Sequence, residues 1–276
     1  MREQINVEVK DKMCVMIEGI TYAQVPYFFP FCDYRPLKMD LILPFGPKDK
    51  LLPCLVWING GGFLTMEKSA FIPHLVRFAE HGYIIASIEY RLSNSCVYPA
   101  MLRDVKSAIR YIRAHAKDFG IDPERIAVMG ESAGGYLAAM AGATGNTRKF
   151  DLGENLDQSS AVCAVVDYYG PSGILSKEDE PERATDKLIP KDIPVTPEEK
   201  LAVTFMDENT PPYYLLHGTD DPLVPCELSE QFYEEMLKKG VQADLTVIEG
   251  AGHADPRFYQ KSTDEKVLAF LDKILK

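Results

Sequence analysis

A serine flanked by glycines is the first group in this 276-residue chain whose type and spacing could do chemistry. Ser132 stands in the run GESAG at residues 130–134, after the apolar segment 126–129 and before a run of small residues. Between a strand and a helix, this pattern is typical of a nucleophile elbow, a tight turn that lifts a serine hydroxyl to the edge of a sheet. Because so short a pattern also arises by chance, the interpretation requires a base, an acid and an oxyanion site elsewhere in the chain.

Histidine is the side chain best suited to accept the serine proton, because its pKa lies near the operating pH. His253 follows the apolar run 245–248, and a parallel sheet binds its ligands just beyond the carboxyl ends of its strands. His217 follows the apolar run 213–216, where we expect it to fix the backbone of a turn. The other three histidines fall in or beside predicted helices. We therefore interpret His253 as the candidate base.

A carboxylate is needed to fix the tautomer of the histidine and to stabilise the imidazolium. Asp220 and Asp221 both lie in the turn after the run 213–216, and the residue pattern leaves both open. Either one completes the order Ser, Asp, His along the chain, which is expected where these groups stand on a doubly wound sheet. Glu131, beside the candidate nucleophile, is expected to be a structural group.

The tetrahedral intermediate of acyl transfer carries an oxyanion, and each preorganised donor to it contributes about 3 kcal/mol. The run NGGGF at residues 59–63 follows the buried apolar segment 53–58. Its glycines would let the backbone approach a substrate closely, although three glycines also suit a plain flexible turn. The candidate donors are the backbone N–H groups of Gly61, Gly62 and Ala133.

The fold class follows from strands that alternate with helices. This alternation predicts right-handed crossovers and an α/β fold, with a mostly parallel sheet of about eight strands flanked by helices. The apolar runs predict strands at 53–58, 83–88, 126–129, 161–166, 213–216 and 245–248, and the helical periodicity predicts helices at 99–117, 227–239 and 263–275.

The chain is predicted to be one domain, 1–276, with two less regular parts. Residues 1–45 hold alternating apolar residues that predict antiparallel strands, around an aromatic and proline-rich stretch, 22–36. We interpret that stretch as a packed surface loop, or as the lining of a site or of a subunit contact. Residues 172–210, rich in charge and proline, are predicted to form a short cap-like insertion.

The bulk composition excludes some function classes. The net charge of −11 and the pI of about 5.0 argue against binding to nucleic acid or to anionic membranes. No apolar run approaches the ~20 residues of a membrane span. The polar N-terminus lacks an apolar signal region, so we expect a cytoplasmic protein with free cysteines. The scattered cysteines resemble no zinc site.

Several motifs together resemble the α/β-hydrolase superfamily. Within it, the resemblance is to bacterial carboxylesterases of the acetyl esterase and acetylxylan or feruloyl esterase-like (BD-FAE) group, related to the hormone-sensitive-lipase-like group. The spacing from His217 in that resemblance favours Asp221 over Asp220 as the acid. Asn59 stands where these families usually have histidine. The short motifs are NGGGF at 59–63, YRLS at 90–93, YYGP at 168–171, HGTDD at 217–221 and Gly252-His253. Three longer stretches, 99–106, 120–135 and 157–160, carry the same resemblance.

The resemblance implies a serine carboxylesterase that cleaves short-chain acyl, such as acetyl, or aromatic esters, including esters carried on carbohydrate. Ser132, His253 and Asp221 would be its triad, and Gly61, Gly62 and Ala133 its oxyanion donors. The partner would be a small-molecule ester, no metal or cofactor is needed, and the N-terminal segment is a candidate homodimer contact. The candidate pocket residues are Phe63, Tyr98, Tyr136 and Tyr169.

Two alternatives remain open from sequence. A serine peptidase of the prolyl-oligopeptidase type has the same catalytic fold, but its usual propeller domain has no room in the roughly 50 residues before the first buried strand. A non-catalytic binding protein on the hydrolase fold would typically lose the histidine or alter the oxyanion loop.

Overall fold

The central element of the structure is a single twisted sheet. The computed structural model describes residues 1–10, 12–28, 32–46, 50–172, 196 and 198–276. Within them, eight strands lie in the order β1-β2-β4-β3-β5-β6-β7-β8. The strands are β1 Cys14–Phe28, β2 Cys32–Pro44, β3 Leu52–Ile58, β4 Ile84–Ile88, β5 Ile121–Glu131, β6 Val165–Tyr168, β7 Tyr213–Gly218 and β8 Ala243–Ile248.

The direction of the strands separates the sheet into two parts. β1 pairs with β2, and β2 with β4, in the antiparallel sense. From β4 to β8 every neighbouring pair is parallel. The carboxyl ends of β5, β7 and β8 therefore lie at the same edge, which is where a sheet of this kind carries its ligands.

Helices cover both faces of the sheet. They are α1 Ile72–Glu80, α2 Ala100–Ala114, α3 Ala116–Phe119, α4 Ala133–Ala143, α5 Cys226–Lys238 and α6 Lys261–Leu275, with short 3₁₀ helices at Glu198–Lys200, Ala202–Phe205 and Pro256–Tyr259.

Two apolar cores, one on each face, explain why the central strands are apolar without interruption. Along β3, Cys54, Val56 and Ile58 pack into the core that includes α2, α4 and α5. The alternate residues Leu55 and Trp57 pack into the core that includes α1 and α6. Because successive side chains of a strand point to opposite faces, both faces of such a strand must be apolar. The predicted α/β-hydrolase fold class is confirmed.

The N-terminal prediction was wrong in two respects. Residues 1–10 form no regular secondary structure, and the stretch 22–36, interpreted as a loop, belongs mostly to the β1–β2 hairpin. Prolines suggested a loop, but β1 is an edge strand, and β2 pairs with β4 only over Met39–Ile42. At such edges a proline removes few ladder hydrogen bonds.

Two other boundaries moved. The helix predicted at 99–117 is divided into α2 and α3, and Gly120 follows α3 in the left-handed conformation, φ 76°. The strand predicted at 161–166 is β6, which begins only at Val165.

Most of the insertion predicted at 172–210 lies outside the described residues, as 173–195 and 197 are not among them. In the part of the chain that is described, no helix combines the length and the apolar character that crossing a membrane would require.

Candidate active site

Ser132 occupies a tight turn between β5 and α4. Its backbone has φ 53° and ψ −120°, a combination that costs a non-glycine residue conformational energy. The turn closes only because two neighbours lack side chains. A Cβ at Gly134 would clash with the carbonyl of Ile58, and one at Gly130 would clash with the backbone of Gly134. The run GESAG thus forms the elbow geometry that its pattern predicts.

Three side chains that are distant in sequence meet at the edge of the sheet. The Oγ atom of Ser132 lies 2.9 Å from Nε2 of His253. On the other side of the ring, Nδ1 of His253 lies 2.7 Å from Oδ2 of Asp221. With the proton on Nδ1, His253 donates to Asp221 and its Nε2 can accept the proton of the serine hydroxyl.

Asp221 is held in place from several directions. Its Oδ1 atom accepts hydrogen bonds from the backbone N–H groups of Leu223 and Val224, each at 2.9 Å. Burial alone would raise the pKa of Asp221, but hydrogen bonds from His217, His253 and these two N–H groups outweigh it and hold the pKa well below its usual value. The carboxyl group of Asp221 is therefore ionised in the folded protein at neutral pH.

The neighbouring aspartate has a different environment. Asp220 is exposed, and its Oδ1 atom accepts a hydrogen bond from the hydroxyl of Thr219 at 2.7 Å. Of the two candidate acids, only Asp221 contacts His253.

His217 lies behind the aspartate and away from the serine. It is fully buried at the end of β7, with Nδ1 2.6 Å from Oγ of Ser229 and Nε2 2.8 Å from the carbonyl of Val224. Its Nε2 also lies 3.3 Å from Oδ2 of Asp221. These contacts fix the backbone of the turn that carries Asp221.

The glycine run after β3 forms a tight loop beside the elbow. Gly61 has φ 110° and Gly62 has φ 61°, in the region that favours glycine. Among the described residues, the N–H groups of Gly61, Gly62 and Ala133 have no hydrogen-bond acceptor. Such unused donors are what an oxyanion site requires.

Asn59 anchors the start of this loop. Its side-chain Oδ1 accepts a hydrogen bond from the indole of Trp57 at 3.1 Å, and its carbonyl accepts one from the hydroxyl of Tyr90 at 2.7 Å. Its Nδ2 atom is buried, and no described residue accepts from it. The start of the loop is therefore held through the backbone carbonyl of Asn59, whereas its side chain bonds back to Trp57 in β3.

Glu131 makes a contact that sequence reasoning missed. Its carboxylate accepts a hydrogen bond from the N–H group of Gly60, across from one strand to the next. Burial raises the pKa of Glu131, and the Gly60 N–H group, the hydroxyl of Tyr169 and nearby His253 oppose the rise. No short-range signal indicates this pairing, since 71 residues separate the two partners.

Three of the four candidate pocket residues form one aromatic cluster. The rings of Phe63 and Tyr136 meet edge to face at 5.8 Å, and those of Tyr98 and Tyr136 lie 6.3 Å apart. The hydroxyl of Tyr136 donates to the carbonyl of Lys200 at 2.7 Å, and that of Tyr98 to the carbonyl of Glu199 at 3.2 Å. All three rings are buried, and the hydroxyls of the two tyrosines hold the segment 198–205.

The fourth candidate, Tyr169, lies apart from that cluster and packs on the histidine. Its ring meets the ring of His253 edge to face at 4.8 Å, and its hydroxyl bonds to the hydroxyl of Tyr259. Tyr169 is fully buried, with φ 42°. Tyr259 was not foreseen, because nothing in its local sequence indicates that it reaches the site.

Among the described residues, no three His, Cys, Asp or Glu side chains converge as a metal site would require.

Comparisons with known proteins agree with this architecture. The esterase LipC of Mycobacterium tuberculosis is 33% identical over 217 residues, which cover 74% of this chain and 53% of that protein. The chain spans about half the length of the curated relatives it matches.

Solved structures match almost the whole chain. The propionate-bound esterase Est2 of the planctomycete Thermogutta terrifontis superposes with a TM-score of 0.75 at 28% identity, covering 93% of this chain and 92% of that one. A truncated carbohydrate esterase from gut microbiota has a TM-score of 0.78 at 24% identity, covering 94% and 95%, and this second likeness concerns the fold alone. The sequence profile of the BD-FAE family matches residues 39–236, more than half of the chain. This chain belongs to the BD-FAE family of α/β-hydrolases.

Proposed function

We propose that this protein is a serine carboxylesterase. One observation carries the proposal: the hydrogen-bonded series from Ser132 through His253 to Asp221 lies beside backbone N–H groups that lack acceptors among the described residues. A serine hydroxyl is a weak nucleophile, and such an arrangement activates it for acyl transfer.

The reaction would begin with attack by Ser132 on the ester carbonyl carbon. As the Oγ–C bond forms, the hydroxyl proton moves to Nε2 of His253, and the carbonyl electron pair moves to the oxygen. Asp221 stabilises the imidazolium through its 2.7 Å hydrogen bond to Nδ1 and stays ionised itself. When the tetrahedral intermediate collapses, His253 returns the proton to the alkoxide, and the alcohol leaves.

The oxyanion would lie against the N–H groups of Gly61, Gly62 and Ala133. Ala133 begins α4, so its N–H group points along a helix axis whose positive end favours negative charge. Removing one such donor from an oxyanion site costs about 10²–10³ in kcat.

Hydrolysis of the acyl-enzyme would repeat the same proton transfers with water. His253 takes a proton from the water as its oxygen bonds to the acyl carbon, and then protonates Oγ of Ser132 as that atom leaves. The products are the free acid and the regenerated enzyme. No group beyond this chain and water is needed to balance these steps.

For the substrate, we propose short-chain acyl esters such as acetyl esters, or aromatic esters, including those carried on carbohydrate. The family resemblance supports this range, as does the likeness to Est2, which was solved with propionate.

The test compares the wild type with Ser132→Ala and with Ser262→Ala, which alters an exposed serine of α6. The substrate is p-nitrophenyl acetate, and a fluorophosphonate probe reports the reactive serine. We expect Ser132→Ala to lose turnover and labelling with its melting temperature retained, and Ser262→Ala to behave as wild type. Turnover that survives in Ser132→Ala would overturn the assignment of the nucleophile.

The acyl preference is tested separately with acetyl, butyryl, octanoyl and feruloyl esters. We expect kcat/KM to be highest for the acetyl, butyryl or feruloyl ester and to fall for octanoyl. Selective cleavage of proline-containing peptides would instead indicate a peptidase. A wild-type protein that neither turns over esters nor reacts with the probe would indicate a non-catalytic binding protein.

A further inference from the structure

Two neighbouring chain segments carry the candidate oxyanion donors. Gly61 and Gly62 follow β3, and Ala133 follows β5. These strands are parallel neighbours, with Ile58 opposite Gly130. Just beyond that pair, the N–H group of Gly60 donates to the carboxylate of Glu131.

We propose that Glu131 is a positioning residue that sets the distance between the two groups of oxyanion donors through its hydrogen bond to Gly60. This inference rests on the proposed function, since it assigns a role within the same site. Gly60 is one residue from Gly61, and Glu131 is two residues from Ala133, so the bond joins the two segments next to their donors.

The glycine loop needs such an anchor. Backbone with positive φ at Gly61 and Gly62 is accessible to glycine, but fixing a glycine costs more conformational entropy than fixing any other residue. The carbonyl of Gly61 accepts from the N–H groups of Leu64 and Thr65 at 3.0 and 3.1 Å, which holds the loop to itself. The bond to Glu131 is different, because it holds the loop to the segment that carries the nucleophile.

The packing around Glu131 leaves this geometry little freedom. A Cβ at Gly60 would lie 2.5 Å from Oε1 of Glu131 and 2.7 Å from its carbonyl oxygen, so the two segments approach as closely as glycine permits. Glu131 is buried, and no lysine or arginine of the described residues forms an ion pair with it. Its carboxylate instead accepts a hydrogen bond from the Gly60 N–H group, which supplies the polar partner that a buried acceptor requires.

The test compares Glu131→Ala, which removes the acceptor, with Glu131→Gln, which retains an oxygen of the same reach. Asp40→Ala is the matched control. Asp40 is also a buried carboxylate that accepts a glycine N–H group, from Gly19 at 2.8 Å, but it lies in the antiparallel part of the sheet. Kinetics with p-nitrophenyl acetate give kcat and KM separately, and hydrogen exchange measured by mass spectrometry follows the amides of peptides covering 59–63.

We expect Glu131→Ala to lower kcat about 100-fold with KM changed less than about threefold, because oxyanion donors act on the transition state rather than on substrate binding. Amide exchange in 59–63 should accelerate in the same variant. Glu131→Gln should keep kcat within about tenfold and keep amide exchange in 59–63 near the wild-type rate. Asp40→Ala should lose melting temperature but keep the wild-type kcat.

Two results would overturn the proposal. One is a kcat for Glu131→Ala within about threefold of wild type, and the other is an equal loss in Glu131→Ala and Glu131→Gln. Should Glu131→Ala fail to fold, Glu131→Met, similar in length and without oxygen, replaces it in the same comparison. A wild type without esterase activity would contradict the proposed function, whereas the exchange measurement would still show whether Glu131 holds the loop.

Discussion

The carboxylate of Asp221 lies 2.7 Å from Nδ1 of His253, on the side of the ring opposite Ser132. The residue just before it, Asp220, turns outwards to the hydroxyl of Thr219. One residue of difference in the turn after β7 therefore decides which of two adjacent carboxylates can orient the histidine.

Asp221→Asn is expected to lower kcat about 10³–10⁴-fold, because an amide no longer selects the Nδ1–H tautomer of His253 or stabilises its protonated form. Asp220→Asn is the matched control and should remain within about twofold of wild type, as that side chain is exposed. Turnover of p-nitrophenyl acetate by both variants measures this. Inactivity confined to Asp220→Asn would reverse the assignment.

His217→Gln is expected to lower kcat about tenfold, or ~1.4 kcal/mol, without abolishing turnover. His217 supports the turn through Ser229 and Val224 and lies 3.3 Å from Asp221, and its ring nitrogens are directed to these residues rather than to Ser132. His253→Ala, in contrast, should lose at least about 10³-fold. The ratio of the two losses, from parallel kcat measurements, distinguishes a supporting histidine from the base, and equal losses would contradict the distinction.

Tyr136→Phe is expected to loosen the segment 198–205 while leaving the aromatic cluster packed. The substitution removes the 2.7 Å hydrogen bond to the carbonyl of Lys200 and keeps the ring. Losing this hydrogen bond should lower the free energy of local unfolding by about 1 kcal/mol. If cleavage follows local opening, trypsin should then cleave after Lys200 about five times faster.

Tyr98→Phe serves as the comparison for that experiment, because its bond to the carbonyl of Glu199 is longer, at 3.2 Å. It should accelerate cleavage less. If neither variant changes the cleavage rate after Lys200, the two hydroxyls do not hold this segment.

His74→Phe is expected to make the free energy of unfolding depend less on pH in the acid range. Burial, aided by the nearby charge of Arg77, lowers the pKa of His74 to about 4. Asp264 lies 3.5 Å from His74, but its other oxygen is engaged by Arg77 at 2.8 Å. Between pH 6.5 and 4, the unfolded chain binds a proton that the folded protein does not, so stability falls as the pH falls.

The size of that effect follows from the difference between the two pKa values. From pH 7.5 to 5.0, the wild type should lose about 2 kcal/mol more free energy of unfolding than His74→Phe. Urea unfolding at both pH values measures the loss. The aromatic replacement is chosen because His74 packs edge to face against Phe78 and Tyr259. Identical losses in both proteins would show that His74 is protonated in the fold.

The sequence was most informative where local patterns depend on local physics. The continuous apolar runs correctly predicted β3 and β7, because a strand buried on both faces must be apolar throughout. Local pattern reasoning failed at residues 22–36, where the prolines suggested a loop. Whether a proline is tolerated in a strand depends on the strand's neighbours, and β1 lies at the edge of the sheet.

By itself, the sequence determined the fold class, the elbow around Ser132, and the order of serine, aspartate and histidine along the chain. Each of these depends on spacing within one segment or on the sequence of segments. The residue pattern left Asp220 and Asp221 open and the family resemblance favoured Asp221, whose carboxylate the tertiary structure places against His253. Only the tertiary structure placed Tyr169 against His253 rather than with the other aromatic residues, and joined Glu131 to Gly60. Those outcomes depend on the direction of side chains at the ends of different strands. Such residues, for example Tyr169 and His253, which are 84 positions apart in the chain, meet only because the sheet brings the strand ends together.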